Sequence, residues 1–154
     1  MRKVMVLCLA AAVFVGCVET PVDEPVTKET IQMPGALDGL PFSTAVRVGD
    51  VLYLSGQVGT VPGQEGLASG GVGPETRATM ENIQRVLEHA GSSMDRVFKC
   101  TVFLVDIADY GEMNAVYRTF FPENPPARST MAGSGLALGA RVEIECMALA
   151  GTQP

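Results

Sequence analysis

The chain has 154 residues, a formal charge of −6, no tryptophan, one histidine and four cysteines. That length accommodates one domain plus accessory segments. An acidic chain without a stripe of lysine and arginine is a poor match for nucleic acid, whose phosphates call for clustered cations, and one histidine leaves little material for a metal centre.

Arg2-Lys3 precedes an apolar run, Val4 to Val15, that is too short to span a bilayer comfortably and reads as an export signal. The run ends in Phe14-Val15-Gly16-Cys17, which resembles the lipobox of bacterial lipoproteins, with Phe14 where leucine is usual. The expectation is cleavage after residue 16 and lipidation of Cys17; a plain secretory signal or an uncleaved anchor are the alternatives. Several acyl chains would hold the protein stably at a membrane. Residues 17–35, rich in proline and acid, are expected to form a flexible tether. Val18 is not the aspartate that retains some lipoproteins at the inner membrane, so the expected location is the outer membrane, facing the periplasm.

The folded domain is expected over residues 36–151. Ala45 to Val48 and Val51 to Ser55 read as a hairpin with a tight Gly49-Asp50 turn. Residues 60–73 are glycine-rich and read as an irregular loop. Pro74 and Glu75 suit the first turn of a helix on which Met80, Ile83, Leu87 and Ala90 share a face, with Gly91 as its stop. Val97 to Val105 is apolar on both faces and reads as a central strand. A second helix is expected from an Asp109 cap with Glu112 three residues on, burying Met113, Val116, Tyr117, Phe120 and Phe121. His89 sits at a helix end and is assigned no role.

The last segment carries the chemistry. Two prolines hold Arg128, Ser129 and Thr130 extended, so Arg128 and Thr130 share a face. In Arg141 to Cys146, Val142, Ile144 and Cys146 alternate with Arg141, Glu143 and Glu145, the period of a strand with one dry and one polar face. A guanidinium fork suited to a carboxylate, beside a carboxylate able to steer a proton, is the most suggestive pairing in the chain. A plain cross-strand salt bridge between Arg128 and Glu143 is the competing reading. With both helices on one face of a mixed sheet, the polar face is bare; burial against symmetry mates would cover it and place a cleft between subunits. Cys100 and Cys146 fall in apolar strands. A disulfide is allowed in an oxidising compartment, but two buried free thiols are the favoured reading.

The runs Leu54-Ser55-Gly56-Gln57, Glu81-Asn82-Ile83, Lys99 to Leu104, Asn114-Ala115-Val116-Tyr117, Pro126-Ala127-Arg128-Ser129 and Val142 to Glu145 together resemble the RidA/YjgF family of enamine and imine deaminases. The likeness spans residues 36–150 or so. It implies a chorismate-mutase-like α+β fold and a homotrimer whose sheets form a central barrel, with clefts between subunits. It further implies that Arg128 binds the substrate carboxylate, that Glu143 helps activate water, and that Ser55, Gly56, Asn114, Thr130 and Phe42 line the pocket, Asn114 in a more structural role. Phe42 stands where many members carry tyrosine, and Thr130 where cysteine or valine is frequent. The implied reaction is hydrolysis of 2-imino or enamino acids to a 2-oxo acid and ammonia, without cofactor or metal. Three other readings compete: a non-catalytic trimer that captures small carboxylates in the envelope, the ribonuclease activity of some relatives, and a purely structural envelope lipoprotein.

Overall fold

The computed structural model describes residues 25–35 and 39–151. Its strands are β1 (Lys28–Ile31), β2 (Ala45–Val48), β3 (Val51–Leu54), β4 (Gln57–Val58), β5 (Val97–Leu104), β6 (Ala127–Ala132) and β7 (Val142–Leu149); its helices are α1 (Val72–His89) and α2 (Tyr110–Tyr117). They build one mixed sheet in the order β1-β2-β3-β7-β5-β6, with β4 also paired to β7. β5 and β6 run parallel, as a helical crossover through α2 requires, and the other pairings are antiparallel.

The hairpin forms as expected. Val48 faces Val51 across Gly49-Asp50, and Gly49 adopts a φ of 56°, which a residue without Cβ reaches at no steric cost. On α1, Met80, Ile83 and Leu87 are fully buried, and Val86 joins them. They pack with Met113 of α2 against Leu52, Cys100, Val102, Val142, Ile144 and Cys146, so both helices cover the same face of the sheet. Among the described residues, no helix covers the opposite face. By register it carries Tyr53, Lys99, Thr101, Phe103, Ser129, Glu143, Glu145 and Met147.

Several sequence expectations change. Residues 28–31 fall in the stretch read as tether, yet they form β1, pairing Lys28 through Ile31 with Val48 through Ala45. The segment has no apolar alternation of its own, and only the free edge of β2 makes it a strand. Asp109 caps nothing with its side chain; Asp106 accepts from the Ala108 amide at 2.9 Å and opens the helical turn before α2. Glu112 reaches across to accept from the Gly73 amide at 3.1 Å and so serves the start of α1, not its own helix. Glu75 stands in the first turn of α1 as expected, and it is also 4% exposed and points into the fold, where its Oε1 accepts from the amides of Arg141 and Val142 at 2.7 and 3.1 Å. That carboxylate fixes how the chain enters β7.

A further change concerns the cysteines. Cys100 and Cys146 are not free thiols but a disulfide, and they are direct cross-strand partners of β5 and β7, with Cα atoms 4.1 Å apart. Both were correctly placed in apolar strands; their pairing follows from a register set between segments 46 residues apart. A crosslink closing a loop of that length restricts the unfolded chain by about 3–4 kcal/mol. The Cys100→Ala/Cys146→Ala variant is therefore expected to melt roughly 10 °C lower than the oxidised protein. Thiol titration of the unfolded mature protein should find neither residue reactive; two free thiols would refute the bridge.

Candidate functional site

Arg128 lies on β6 opposite Cys100, which puts it on the helix-covered side at an edge of the sheet. Its guanidinium sits over the Tyr117 ring, 4.7 Å from the centroid, and 5.6 Å from that of Tyr110. Its Nη2 donates to the Tyr110 hydroxyl at 3.0 Å. Two rings seven residues apart on a short helix fall on one face and both lie within cation–π reach of the guanidinium. Among the described residues, Arg128 has no carboxylate partner. Asn114, Tyr117, Arg118, Phe121, Pro125, Pro126 and Arg128 border a groove of about 480 Å³. Thr130 shares the face of Arg128, and its hydroxyl, like that of Tyr117, is buried without a hydrogen-bond partner among the described residues. Burial pushes the Tyr117 hydroxyl up to about 12, against the downward pull of Arg128, so it stays neutral.

Glu143 lies elsewhere. It faces Phe103 of β5 and Val58 of β4 on the uncovered side of the sheet. Gly56 is packed against it: a Cβ there would fall on the Glu143 carboxylate, so any larger residue would push that carboxylate from its place. Ser55 stands beside Gly56 and donates its hydroxyl to the Ser43 carbonyl at 2.7 Å, next in the chain to exposed Phe42. Burial, and secondarily the charge of Glu145, raises Glu143 above the usual carboxylate range. Thus Arg128, Asn114 and Thr130 form one group, and Glu143, Gly56, Ser55 and Phe42 form another.

The two groups are on opposite faces of one sheet, so the expected juxtaposition of Arg128 with Glu143 does not exist within one subunit. This disposes of the intrachain salt bridge as well. Arg141 also leaves the polar face assigned to it: its guanidinium forms a two-point pair with Asp109, at 2.6 and 3.0 Å. Strand alternation was extended one residue too far, since β7 begins at Val142. The sequence reading missed three contributors. Tyr110 went unremarked, although its spacing from Tyr117 was a legible signal. Tyr117 was read only as core. Glu75 gave no signal, because its partners are backbone amides 66 and 67 residues away.

A single mixed sheet with its helices on one side, an arginine at one edge with no carboxylate partner among the described residues, and a partly buried carboxylate on the other side defines an α+β domain with two separate polar groups. The chain belongs to the family described as Endoribonuclease L-PSP, whose sequence model matches residues 32–150, the RidA/YjgF family of the motif resemblance. It is 39% identical over 122 residues to the human 2-iminobutanoate/2-iminopropanoate deaminase, covering 79% of this chain and 88% of the human one. A putative endoribonuclease from Thermotoga maritima superposes with a TM-score of 0.75 at 32% identity, over 82% of this chain and 100% of that one. TdcF from E. coli, solved with bound serine, superposes at 0.72 and 29% identity, over 79% and 98% of the two chains.

Proposed function

We propose that this protein hydrolyses 2-imino acids and their enamine tautomers to 2-oxo acids and ammonia, at sites completed between copies of the chain. The observation that carries the reading is Arg128: half-buried, set over the Tyr117 ring, open to a groove and unpaired with any carboxylate among the described residues. A bidentate hold on the substrate carboxylate would fix C2 of the adjacent C=N for attack. Relatives named as 2-iminobutanoate/2-iminopropanoate deaminases, at 38–39% identity, support the same chemistry.

Glu143 from a neighbouring copy supplies the proton acceptor. Water oxygen bonds to C2 of the protonated imine, the C=N π pair moves to nitrogen, and a water proton passes to Glu143. Glu143 then returns that proton to the amine nitrogen, and the C–N bond breaks with its pair leaving on ammonia. The hydroxyl proton passes to Glu143 as the C=O forms, and is released to solvent. A carboxylate whose affinity for protons is raised by burial suits both directions of transfer. A homotrimer with clefts between subunits, as the resemblance implies, would bring the two half-sites together. An RNA substrate fits poorly with a net charge of −6.

The test is direct: purified protein lacking residues 1–24, supplied with 2-iminobutanoate or 2-iminopropanoate generated in situ, should accelerate ammonia release above the spontaneous rate. Binding of 2-oxo acids without acceleration would leave a carboxylate-binding module instead. Acid sensitivity should follow Glu143. Its acceptor form is lost as pH falls through its raised pKa, so kcat/KM should decline on that acid limb. Glu145→Gln removes one cause of the elevation and should move the limb to lower pH. A limb that stays put would detach Glu145 from the site.

We further propose that the protein is exported and lipidated on Cys17, in the envelope and facing the periplasm. Cys17 lies outside the described residues, and the Gly16-Cys17 pair after the apolar run is the motive. The Cys100–Cys146 disulfide supports an oxidising compartment. Mass spectrometry of the mature amino-terminal peptide should find a diacylglyceryl-modified Cys17. An unmodified terminus at another residue would end the proposal.

A further inference from the structure

The hydroxyl of Tyr110 is placed for more than holding Arg128. Tyr110 opens α2, and its side chain remains partly open to solvent at 39% exposure. Arg128 Nη2 donates to its oxygen at 3.0 Å, which occupies a lone pair and leaves the phenolic proton unused. Among the described residues, no acceptor takes that proton. The Tyr117 hydroxyl differs in kind: it is shut away from solvent under the guanidinium and offers nothing to a ligand.

We infer that Tyr110 is a substrate-binding residue, the second donor to the carboxylate that Arg128 captures. The inference rests on the reading of Arg128 as the carboxylate site. A carboxylate is acceptor-only, with about four lone-pair sites. A guanidinium fork fills two of them, on its own edge of the anion. A hydroxyl already bonded to that fork stands at the flank of the anion and can fill a third. The tyrosine oxygen, polarised by the cation whose proton it accepts, is a stronger donor than a free phenol. The pair thus selects a planar anion with a free flank, the geometry of a 2-imino or 2-oxo acid, and fixes its rotation about the Cζ axis of Arg128. The ring also contributes to the aromatic surroundings of the cation, and phenylalanine would preserve that contribution.

Tyr110→Phe removes the hydroxyl and keeps the ring. It is expected to raise KM for 2-iminobutanoate and the calorimetric Kd for 2-oxobutanoate about tenfold, the worth of one hydrogen bond to a charged group. The value of kcat should hold within about twofold, since the contact is made equally in ground and transition states. A role confined to holding Arg128 is separated by a double-mutant comparison. In an Arg128→Lys background, adding Tyr110→Phe should weaken 2-oxobutanoate binding several-fold further if the hydroxyl touches the ligand. Unchanged KM and Kd in Tyr110→Phe, or no further loss in the Arg128→Lys background, would overturn the inference. The calorimetric arm needs no turnover, so an inactive protein that still binds 2-oxobutanoate through Tyr110 would contradict the deaminase reading alone. A wild-type protein that neither binds the oxo acid nor releases ammonia would remove both.

Discussion

Arg128→Ala is expected to reduce kcat/KM for imine hydrolysis by about a hundredfold or more, the equivalent of some 2–4 kcal/mol for truncating one side of a desolvated charge pair. Stability should change little. Arg128 forms no ion pair with a carboxylate among the described residues, and its losses within the fold are one hydrogen bond to Tyr110 and the stacking on Tyr117. Arg128→Lys should recover little, because an ammonium cannot reproduce the planar fork or its stacking. The measurement is steady-state ammonia release alongside a melting curve. A melting temperature that collapses, with activity falling only in proportion to folded protein, would make Arg128 a structural residue and sink the assignment.

Glu143→Gln is expected to keep shape and much of substrate binding but to lose turnover by about 10²–10⁴-fold, the usual worth of a positioned acid-base group. The amide cannot take the proton of water, while it still fits against Gly56. The placement of Glu143 and Arg128 on opposite faces adds a sharper expectation. If each site draws Arg128 from one copy and Glu143 from its neighbour, two inactive variants should complement each other. Mixing unfolded Arg128→Ala and Glu143→Gln chains and refolding them together should restore about a quarter of the wild-type activity, since a random ring pairs intact groups at one interface in four. Light scattering on the same samples should report a trimer. No recovery in a mixed trimer would place both groups of a working site on one chain, which their geometry does not allow, and the shared site would fall.

The parts of the fold legible beforehand were those whose signal is local. The stripe of Met80, Ile83 and Leu87 on α1, the Gly49-Asp50 hairpin and the alternation of Val142, Ile144 and Cys146 each follow from side-chain period and turn chemistry within a few residues. What was misread depended on partners far along the chain. Lys28 to Ile31 has no strand pattern and becomes β1 by filling the free edge of β2. Glu112 suited a capping box, but the amide of Gly73 on another helix took its carboxylate. Arg141 continued an alternation in sequence, yet Asp109 drew its side chain away.

The candidate site divides along the same line. The residue types able to bind a carboxylate and move a proton, Arg128 and Glu143, were identifiable from the sequence, and so was the face each shares with its neighbours, because strand alternation is a property of the chain itself. Whether those faces coincide was not. That depends on β5 standing between β6 and β7, which gives Arg128 the parity of Cys100 and Glu143 that of Phe103. One residue of register reverses a side chain across the sheet, and strand alternation cannot set the register of one strand against another. The same registry set Cys100 against Cys146 and formed a disulfide from two residues read as thiols. Tyr110 met Arg128 only because the crossover through α2 returns the chain parallel to β5, laying the helix along the edge where the arginine emerges.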